Sequence, residues 1–268
     1  MLPDDNSSPT KYQQGSRHEH LLRACRAGGR GVGPEHAVIA PAVALAAAAA
    51  TLVVDHDTVG TLTGLCVDCA EVVGATTVGI MLADGSGQLQ VMAASSHKAE
   101  ELDLYELQAG QGPCIDAFHG GASVSCPSAE QIVSRWPVFG AQAAAAGYQA
   151  VQACPLRWRG LVIGAINVFF ASPGSLVDEE RQIVQAFADI ATVAVIQMNQ
   201  QGTGDLAGII RSALSTRALI EQAKGVLAAQ TGLSIAAAFD RLLAMSYDSG
   251  TPLETLAREV IDDAVRHR

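Results

Sequence analysis

Two cations in the C-terminal part of the chain have a spacing suited to binding a polyanion. Arg217 and Lys224 are seven residues apart, which is two turns of a helix, so they share one helical face. Glu221 lies between them and can pair with either cation. Cations on one face can neutralise the phosphates of a nucleic acid. The same spacing also fits an ordinary solvated helix face with internal ion pairs, so spacing alone leaves both interpretations open.

The cysteines and histidines give less support for chemistry. Cys114 and His119 are five residues apart and could approach in a turn as a nucleophile and its base. Cys66 and Cys69 form a C-x2-C pair, but no second pair or histidine cluster completes a zinc site. We interpret this pair as small buried residues on a helix. We predict no catalytic residues, no metal site and no cofactor.

The charge of the chain is distributed unevenly. Of the formal net charge of −10, nearly all the excess lies in residues 37–204, which have five Lys or Arg and fifteen Asp or Glu. This acidic segment is unsuited to nucleic acid, because phosphates bind through Lys and Arg. Residues 205–268 have seven basic and eight acidic side chains, which permits a local basic face.

An uncharged stretch at residues 37–54 has about the length of a membrane span. However, half of it is alanine, and Pro41 interrupts it. A span here would also export the rest of the chain, which contradicts a nucleic-acid-binding role. We therefore expect a buried helix, no membrane association and a cytoplasmic protein.

The elements before residue 200 indicate an α+β fold. Residues 1–40 lack a sustained period and are expected to be a disordered extension. An antiparallel sheet with helices packed on it explains the order of helices and hairpins that follows. The predicted elements are a helical pattern at 42–74, a hairpin at 76–95, short helices at 98–108 and 114–119, a short strand at 123–126, a helix at 135–146, a second hairpin at 151–170 and a long helix from Asp178.

Residues 205–266 have the pattern of a small all-α module. A first helix runs from Asp205 to Gln230, Ser234 is a candidate N-cap of the second helix, and Pro252 opens the third. Gly225 lies inside the first helix, where glycine costs about 1 kcal/mol relative to alanine, so we expect something to pack closely against it. The predicted shared core is Leu227, Ile235, Phe239, Leu242, Leu256, Val260 and Ile261.

Four motifs in the first part occur in an order typical of one family. They are Gly110-Gln-Gly-Pro-Cys114, Arg135-Trp-Pro137, Pro155-Leu156 and Gly164-Ala-Ile-Asn167. In this order they resemble the GAF domain, in the type joined to ANTAR domains in actinobacterial regulators. The resemblance implies a sensor domain over 42–200 that responds to an unidentified small molecule or protein, or that serves only in dimerisation. The Lys and Phe of the cyclic-nucleotide-binding pattern are missing, so no cyclic nucleotide is expected.

The C-terminal part resembles the ANTAR domain, a three-helix RNA-binding antitermination module. The matching segments are Ser215-Thr-Arg217, Ile220-Glu-Gln-Ala-Lys-Gly225, Ala238-Phe239 with Leu242, and Leu253–Ala257. The resemblance implies a domain at 205–266 that recognises paired RNA hairpins near terminators and commonly acts as a dimer. The RNA-binding residues that it implies are Arg217, Glu221, Lys224, Arg241, Ser246 and Tyr247.

One position departs from the ANTAR pattern. Leu243 stands where the family usually has Arg, and Arg241 is two positions away on a different face. Tyr247 is the only aromatic candidate for stacking on a base. The RNA face is therefore expected to be weakened or altered.

The sequence thus predicts a cytoplasmic, signal-responsive regulator that binds RNA hairpins and causes transcription antitermination, as a homodimer formed through residues 178–228. The first alternative is a ligand-sensing or protein-interaction dimer whose ANTAR-like tail does not bind RNA. The second is a cysteine-dependent enzyme such as a sulfoxide reductase.

Overall fold

The computed structural model describes residues 41–54, 57–174, 176–197 and 206–266. The predicted extension at residues 1–40 lies outside these ranges, as does the predicted break at Gly202–Gly204. No single helix within these ranges is both long and apolar enough to cross a membrane. Two consecutive helical segments, 210–231 and 235–249, reach the required length and composition only when they are taken together, and the chain bends by 107° between them.

A five-stranded antiparallel sheet forms the centre of the first domain, as predicted. Its strands are β1 (Thr77–Ala83), β2 (Leu89–Ala94), β3 (Val124–Cys126), β4 (Ala150–Trp158) and β5 (Leu161–Phe170), in the order β2-β1-β5-β4-β3. Both predicted hairpins are present. Asp84 fixes the first of them, because its carboxylate accepts hydrogen bonds from the backbone N–H groups of Ser86 and Gln88.

Seven helices within the described ranges accompany the sheet. They are α1 (Pro41–Val54), α2 (Thr58–Val73), α3 (His97–Ala109), α4 (Pro113–Gly120), α5 (Ala129–Arg135), α6 (Pro137–Ala145) and α7 (Asp178–Gln197). The helix predicted over 42–74 is two helices, because Asp57 adopts an extended conformation and caps α2 through the N–H of Gly60. The helix predicted over 135–146 is preceded by a separate one, α5, which ends before Pro137 because proline cannot continue a helix.

Both faces of the sheet are covered. One face packs against α3–α6 in an apolar cluster that includes Trp136, Phe139, Tyr148 and Phe169. The helices α2 and α7 contact the sheet and each other but contribute no side chain to that cluster, so they cover the opposite face. Cys66 and Cys69 lie buried on α2 as free thiols, in agreement with their predicted structural role.

The C-terminal module has the three predicted helices, α8 (Leu206–Thr231), α9 (Ile235–Ser249) and α10 (Leu253–Arg266). Ser234 caps α9 by accepting a hydrogen bond from the N–H of Ala237. Most of the predicted core is buried, but Ile235 is exposed and Ile261 is only half-buried. Both lie on the outward side of helices that pack in a bundle of only three.

The expectation of a close contact at Gly225 is wrong. Gly225 is exposed on α8, and a Cβ atom at this position would meet nothing within 4 Å. Packing among the described residues therefore does not explain the glycine in this signature.

Candidate nucleic-acid interface

The face of α8 that carries the two predicted cations does not point into solvent. Lys224 is fully buried, and the side chain of Arg217 is only 16% exposed. Both interpretations of the spacing, a phosphate-binding face and a solvated helix face, require exposed cations, and the structure shows neither arrangement for Arg217 and Lys224. Seven-residue spacing places two cations on one face, but it does not indicate whether that face meets solvent or a neighbouring domain.

Glu100 of α3 binds both cations with one carboxylate. Its Oε1 lies 2.5 Å from Nη2 of Arg217, and its Oε2 lies 2.7 Å from Nζ of Lys224. Ser96 caps α3 by accepting a hydrogen bond from the N–H of Ala99, which places Glu100 in the first helical turn. The domains are thus joined by an ionic contact in which the two cations bind different oxygens of one carboxylate. Nδ1 of His97, on the same helix as Glu100, lies 3.3 Å from Oε2.

Further contacts hold each cation in place. The Arg217 guanidinium also donates to the backbone oxygen of Val91 in β2. The ammonium of Lys224 donates to Glu221 at 2.8 Å and lies 4.9 Å from the centre of the Phe239 ring. A buried ammonium requires such partners, because an unpaired charge inside a protein is strongly unfavourable.

The protonation states in this cluster follow from the same contacts. Burial alone would raise the pKa of Glu100, but hydrogen bonds with Glu221 and Lys224 and the charges of Lys224 and Arg217 lower that pKa to about 2. The pKa of Glu221 is raised, by burial and by the neighbouring Glu100. Glu100 therefore carries a full negative charge at neutral pH.

The other three predicted RNA-binding residues lie on α9. Arg241 is exposed to solvent, and the Ser246 hydroxyl donates to the backbone oxygen of Thr251 at 2.7 Å. Tyr247 is largely exposed as a whole, but its hydroxyl lies against α2, 3.6 Å from where a Cβ on Gly64 would stand. Burial of this hydroxyl, and then the charge of Asp68, raise the pKa of Tyr247 to about 12.

The structure therefore brings Arg217, Glu221 and Lys224 together and leaves Arg241, Ser246 and Tyr247 outside their contact with Glu100. Sequence reasoning missed Glu100 itself. Fifteen acidic residues in the middle of the chain were available as partners for the cations, and no sequence signal separates Glu100 from the others.

A second residue missed at this boundary is Asp57. Its Oδ1 accepts from the N–H of Gly60 in α2, and its Oδ2 accepts from the N–H of Glu254 in α10, both at 3.0 Å. Asp57 before an apolar helical run is a recognisable N-cap signal for α2. Nothing local in the sequence indicates that it also caps a helix about 200 residues later.

Little space remains between the two domains. A cavity of about 20 Å³ lies there, lined by residues that include Val91, Glu100, Arg217 and Phe239. Its volume corresponds to about one water molecule. The basic face is therefore closed against the first domain without room for a larger anion.

Below Glu100, the same helix α3 carries two more buried carboxyl groups. Asp103 accepts a hydrogen bond from Nδ2 of Asn167 at 2.7 Å, and Glu106 accepts one from the N–H of Ile115 at 3.0 Å. Burial raises the pKa of Asp103 to about 7 and that of Glu106 well above its ordinary value. Asp103 Oδ2 and Asn167 Oδ1 have no hydrogen-bond partner among the described residues.

The cysteine-dependent alternative does not fit this core. Cys114 is fully buried, whereas His119 is exposed. Burial, and then the charges of Glu106 and Asp103, raise the pKa of the Cys114 thiol, which keeps it in the unreactive protonated form. Across the described ranges, no group of three His, Cys, Asp or Glu side chains could hold a metal ion.

Comparison with known proteins identifies both domains. The GAF domain family model matches residues 55–195, and the ANTAR domain family model matches residues 210–261. The predicted boundaries of 42–200 and 205–266 are wider than these matches and stay predictions. A search of curated proteins found no match.

Solved structures agree with the fold. The GAF domain of Acinetobacter phosphoenolpyruvate-protein phosphotransferase is 14% identical, with a TM-score of 0.50, over 60% of this chain and 96% of that chain. The GAF domain of phosphoenolpyruvate-protein phosphotransferase from Coxiella burnetii is 12% identical, with a TM-score of 0.50, over 61% and 97%. At such identities the likeness concerns the fold alone. The predicted α+β fold is confirmed, and the chain belongs to the GAF domain family and carries an ANTAR domain at its C-terminal end.

Proposed function

We propose that this protein binds RNA through its ANTAR domain and acts in transcription antitermination under the control of its GAF domain. The observation that carries the proposal is the convergence of Arg217 and Lys224 on a single oxyanion. The ANTAR domain is an RNA-binding antiterminator domain. Two cations that together hold a carboxylate can hold a backbone phosphate in the same way, through charge-assisted hydrogen bonds.

Each predicted site residue then has a role. Arg217 and Lys224 contact phosphates, and Glu221 orients the Lys224 ammonium. Arg241 adds an exposed cation on α9. Ser246 and Tyr247 lie near it in the chain, where Tyr247 offers a ring for a loop base. The RNA is expected to be a pair of stem-loops near a terminator, as the resemblance implies.

The proposed function also involves the oligomeric state of the protein, its location in the cell and the signal that it senses. A homodimer would present two such faces to two hairpins, and a protein that acts on nascent transcripts works in the cytoplasm. The signal at the GAF domain is a small molecule or a protein. The GAF and ANTAR domains are regulatory domains, and we propose no enzymatic activity.

A second candidate function has two observations in its favour. Lys224 is fully buried and Leu243 is half-buried. Both findings also fit an ANTAR domain that has become an interaction module, in a ligand-sensing dimer without RNA binding. In that case the cations would serve only to join the two domains.

RNA titration of the full chain separates the two functions. A synthetic RNA with two stem-loops is titrated over a series of salt concentrations, with the wild type and with Arg217→Ala/Lys224→Ala. The double variant should bind at least about ten-fold more weakly, with a salt slope lower by roughly two units, one for each phosphate contact. Lys98→Ala/Arg181→Ala removes the same charges from the GAF domain and is the matched control. Equal affinity and equal salt dependence in the wild type and the double variant would contradict the RNA face.

A further inference from the structure

We propose that the GAF domain inhibits the ANTAR domain by placing the Glu100 carboxylate where an RNA phosphate would bind. This inference rests on the proposed function and adds its regulation. The structure then represents a closed state, and a signal acts by separating α3 from α8.

The contact geometry supports competition for one binding position. In Glu100, Oε1 accepts from Arg217 at 2.5 Å, and Oε2 accepts from Lys224 at 2.7 Å and lies 3.3 Å from Nδ1 of His97 on its own helix. A phosphate offers two oxygens in the same manner. Since both cations are already bound to one carboxylate, a phosphate and Glu100 exclude each other.

Because Lys224 is buried, RNA is excluded from this cation by steric hindrance as well as by competition with Glu100. Lys224 has no solvent exposure, so no RNA backbone can reach its ammonium while the domains are in contact. The cavity of about 20 Å³ at this boundary is far too small for a nucleotide. RNA binding by these cations therefore requires the domains to separate.

Two other contacts close the same boundary. Asp57 caps α10 through the N–H of Glu254, and the Tyr247 hydroxyl lies against α2 near Gly64. Neither contact involves Arg217 or Lys224. The closed state thus has several anchors, of which Glu100 is the one that occupies the basic face.

Helix α3 offers a route by which the sensor core can act on this contact. Glu100 is one turn from Asp103, which is fixed to Asn167 of β5 in the domain core. A change in the core that shifts or rotates α3 moves Glu100 relative to α8. The opening signal is therefore expected to act on the position of this helix.

The chain provides a direct probe of opening. It has three lysines, Lys11, Lys98 and Lys224. Lys98 is exposed, whereas Lys224 is buried in the closed state. Labelling of amines followed by mass spectrometry therefore reports opening at Lys224, with Lys98 as the internal reference.

The test compares Glu100→Gln with Glu101→Gln in the full chain. Both variants remove one negative charge from α3. The Glu101 side chain, however, is 66% exposed and pairs with His97 on its own helix rather than with a cation of α8. In Glu100→Gln, the new NH₂ group faces a cation and the contact loses its charge. Glu100→Asp is a second variant, which keeps the charge but is too short to reach both cations. Circular dichroism establishes that each variant is folded.

We expect Lys224 to be labelled slowly in the wild type and in Glu101→Gln, and rapidly in Glu100→Gln. The two-stem-loop RNA should bind Glu100→Gln about 5- to 150-fold more tightly than the wild type, the usual range for coupling between sites. Glu100→Asp should lie between them. Arg217→Ala/Lys224→Ala added to Glu100→Gln should remove the gain.

The outcomes separate the two proposals. Rapid labelling of Lys224 in the wild type, or equal RNA affinity of the wild type and folded Glu100→Gln when both bind, would overturn the inhibition. Slow labelling in folded Glu100→Gln would overturn the role of Glu100. Rapid labelling in Glu100→Gln without any RNA binding would support the Glu100 contact and overturn the proposed RNA function.

Discussion

Asp57 and Glu254 are joined across the domain boundary, because the Asp57 carboxylate accepts a hydrogen bond from the backbone N–H at the start of α10. The same carboxylate caps α2 through Gly60. One side chain therefore satisfies the first turns of two helices in two domains. This arrangement couples the stability of the GAF domain to the docking of the ANTAR domain.

Removal of this shared cap should affect both domains. Asp57→Ala is expected to lower the free energy of unfolding by about 1–3 kcal/mol, since a single lost N-cap typically costs about 1 kcal/mol. Asp57→Asn keeps one acceptor oxygen, so it should retain one cap and lose less. Urea denaturation measures both variants. Equal stability of Asp57→Ala and the wild type would show that the two hydrogen bonds contribute little.

Lys224 should matter for stability as well as for binding. Lys224→Ala is expected to lower the free energy of unfolding by about 3–5 kcal/mol, because loss of one partner from a buried ion pair leaves an uncompensated charge. Arg258→Ala is the control, since Arg258 also pairs with a glutamate, Glu254, but is 62% exposed. The control should change stability by less than about 1 kcal/mol. Similar losses in the two variants would contradict the burial of Lys224.

The half-buried Leu243 tests the departure from the ANTAR pattern. Leu243→Arg in the Glu100→Gln background should bind the two-stem-loop RNA more tightly, because an added guanidinium gains a charge-assisted phosphate contact. A long side chain can extend to solvent from a half-buried position, so the melting temperature should change little. Thermal melting and RNA titration on the same protein distinguish the possibilities. A sharp drop in melting temperature would mean that this position serves packing.

Asp103 should give the GAF domain a pH-dependent stability. Its pKa is about 7 in the folded state against 3.8 ordinarily, so the folded protein holds an extra proton between these values. The contribution of Asp103 to the free energy of unfolding is therefore largest below about pH 4, falls as the pH rises toward 7, and is constant above that. Asp103→Asn should remove this fall and raise the free energy of unfolding at pH 8 by about 1–3 kcal/mol.

The physical reason is specific to this pair. Asn at position 103 can accept from Nδ2 of Asn167 as Asp does, and as a neutral side chain it avoids the cost of burying a negative charge at high pH. Urea denaturation at pH 4.5 and pH 8 checks the expectation, with the exposed Asp189→Asn as the control. A wild type and Asp103→Asn that differ equally at both pH values would rule out the proposed protonation.

The predicted homodimer remains to be measured. Ile183 and Phe187 of α7 are buried within the protomer and Ile190 is half-buried, so the first two are not free to pack against a second copy. Val193 is exposed on the same helix. Light scattering should show a dimer at micromolar concentration, and Val193→Glu should weaken it. A monomer at high micromolar concentration would contradict the dimer.

Local signals account for the parts of the fold that the sequence predicted. The hairpin at 76–95, the cap at Ser234 and the helix predicted from Asp205 to Gln230 each depend on residues that are close together in the chain, so the sequence alone indicates them. Helix α5 was missed because its seven residues contain a single buried apolar side chain, Ile132, which gives no period to detect.

The sequence predicted the cations of the candidate site, but not the carboxylate that binds them. The signature around Lys224 identifies the cations, but their partner lies 124 residues earlier in the chain. Arg217 and Lys224 would show the same spacing whether they faced RNA or Glu100, because both partners are anions. The docked arrangement follows from tertiary contacts between domains, which local pattern cannot provide.

The acidic GAF domain gives the closed arrangement a kinetic consequence. Residues 37–204 have ten more acidic than basic side chains, fifteen against five, and the basic face of α8 is docked on this part of the chain. An approaching RNA therefore meets a negative electrostatic field before it meets any contact. Such fields change association rates by factors of about 10 to 10³ and are screened by salt. Opening should thus accelerate the encounter with RNA most strongly at low ionic strength, so the two states differ in how fast RNA arrives as well as in how firmly it is held.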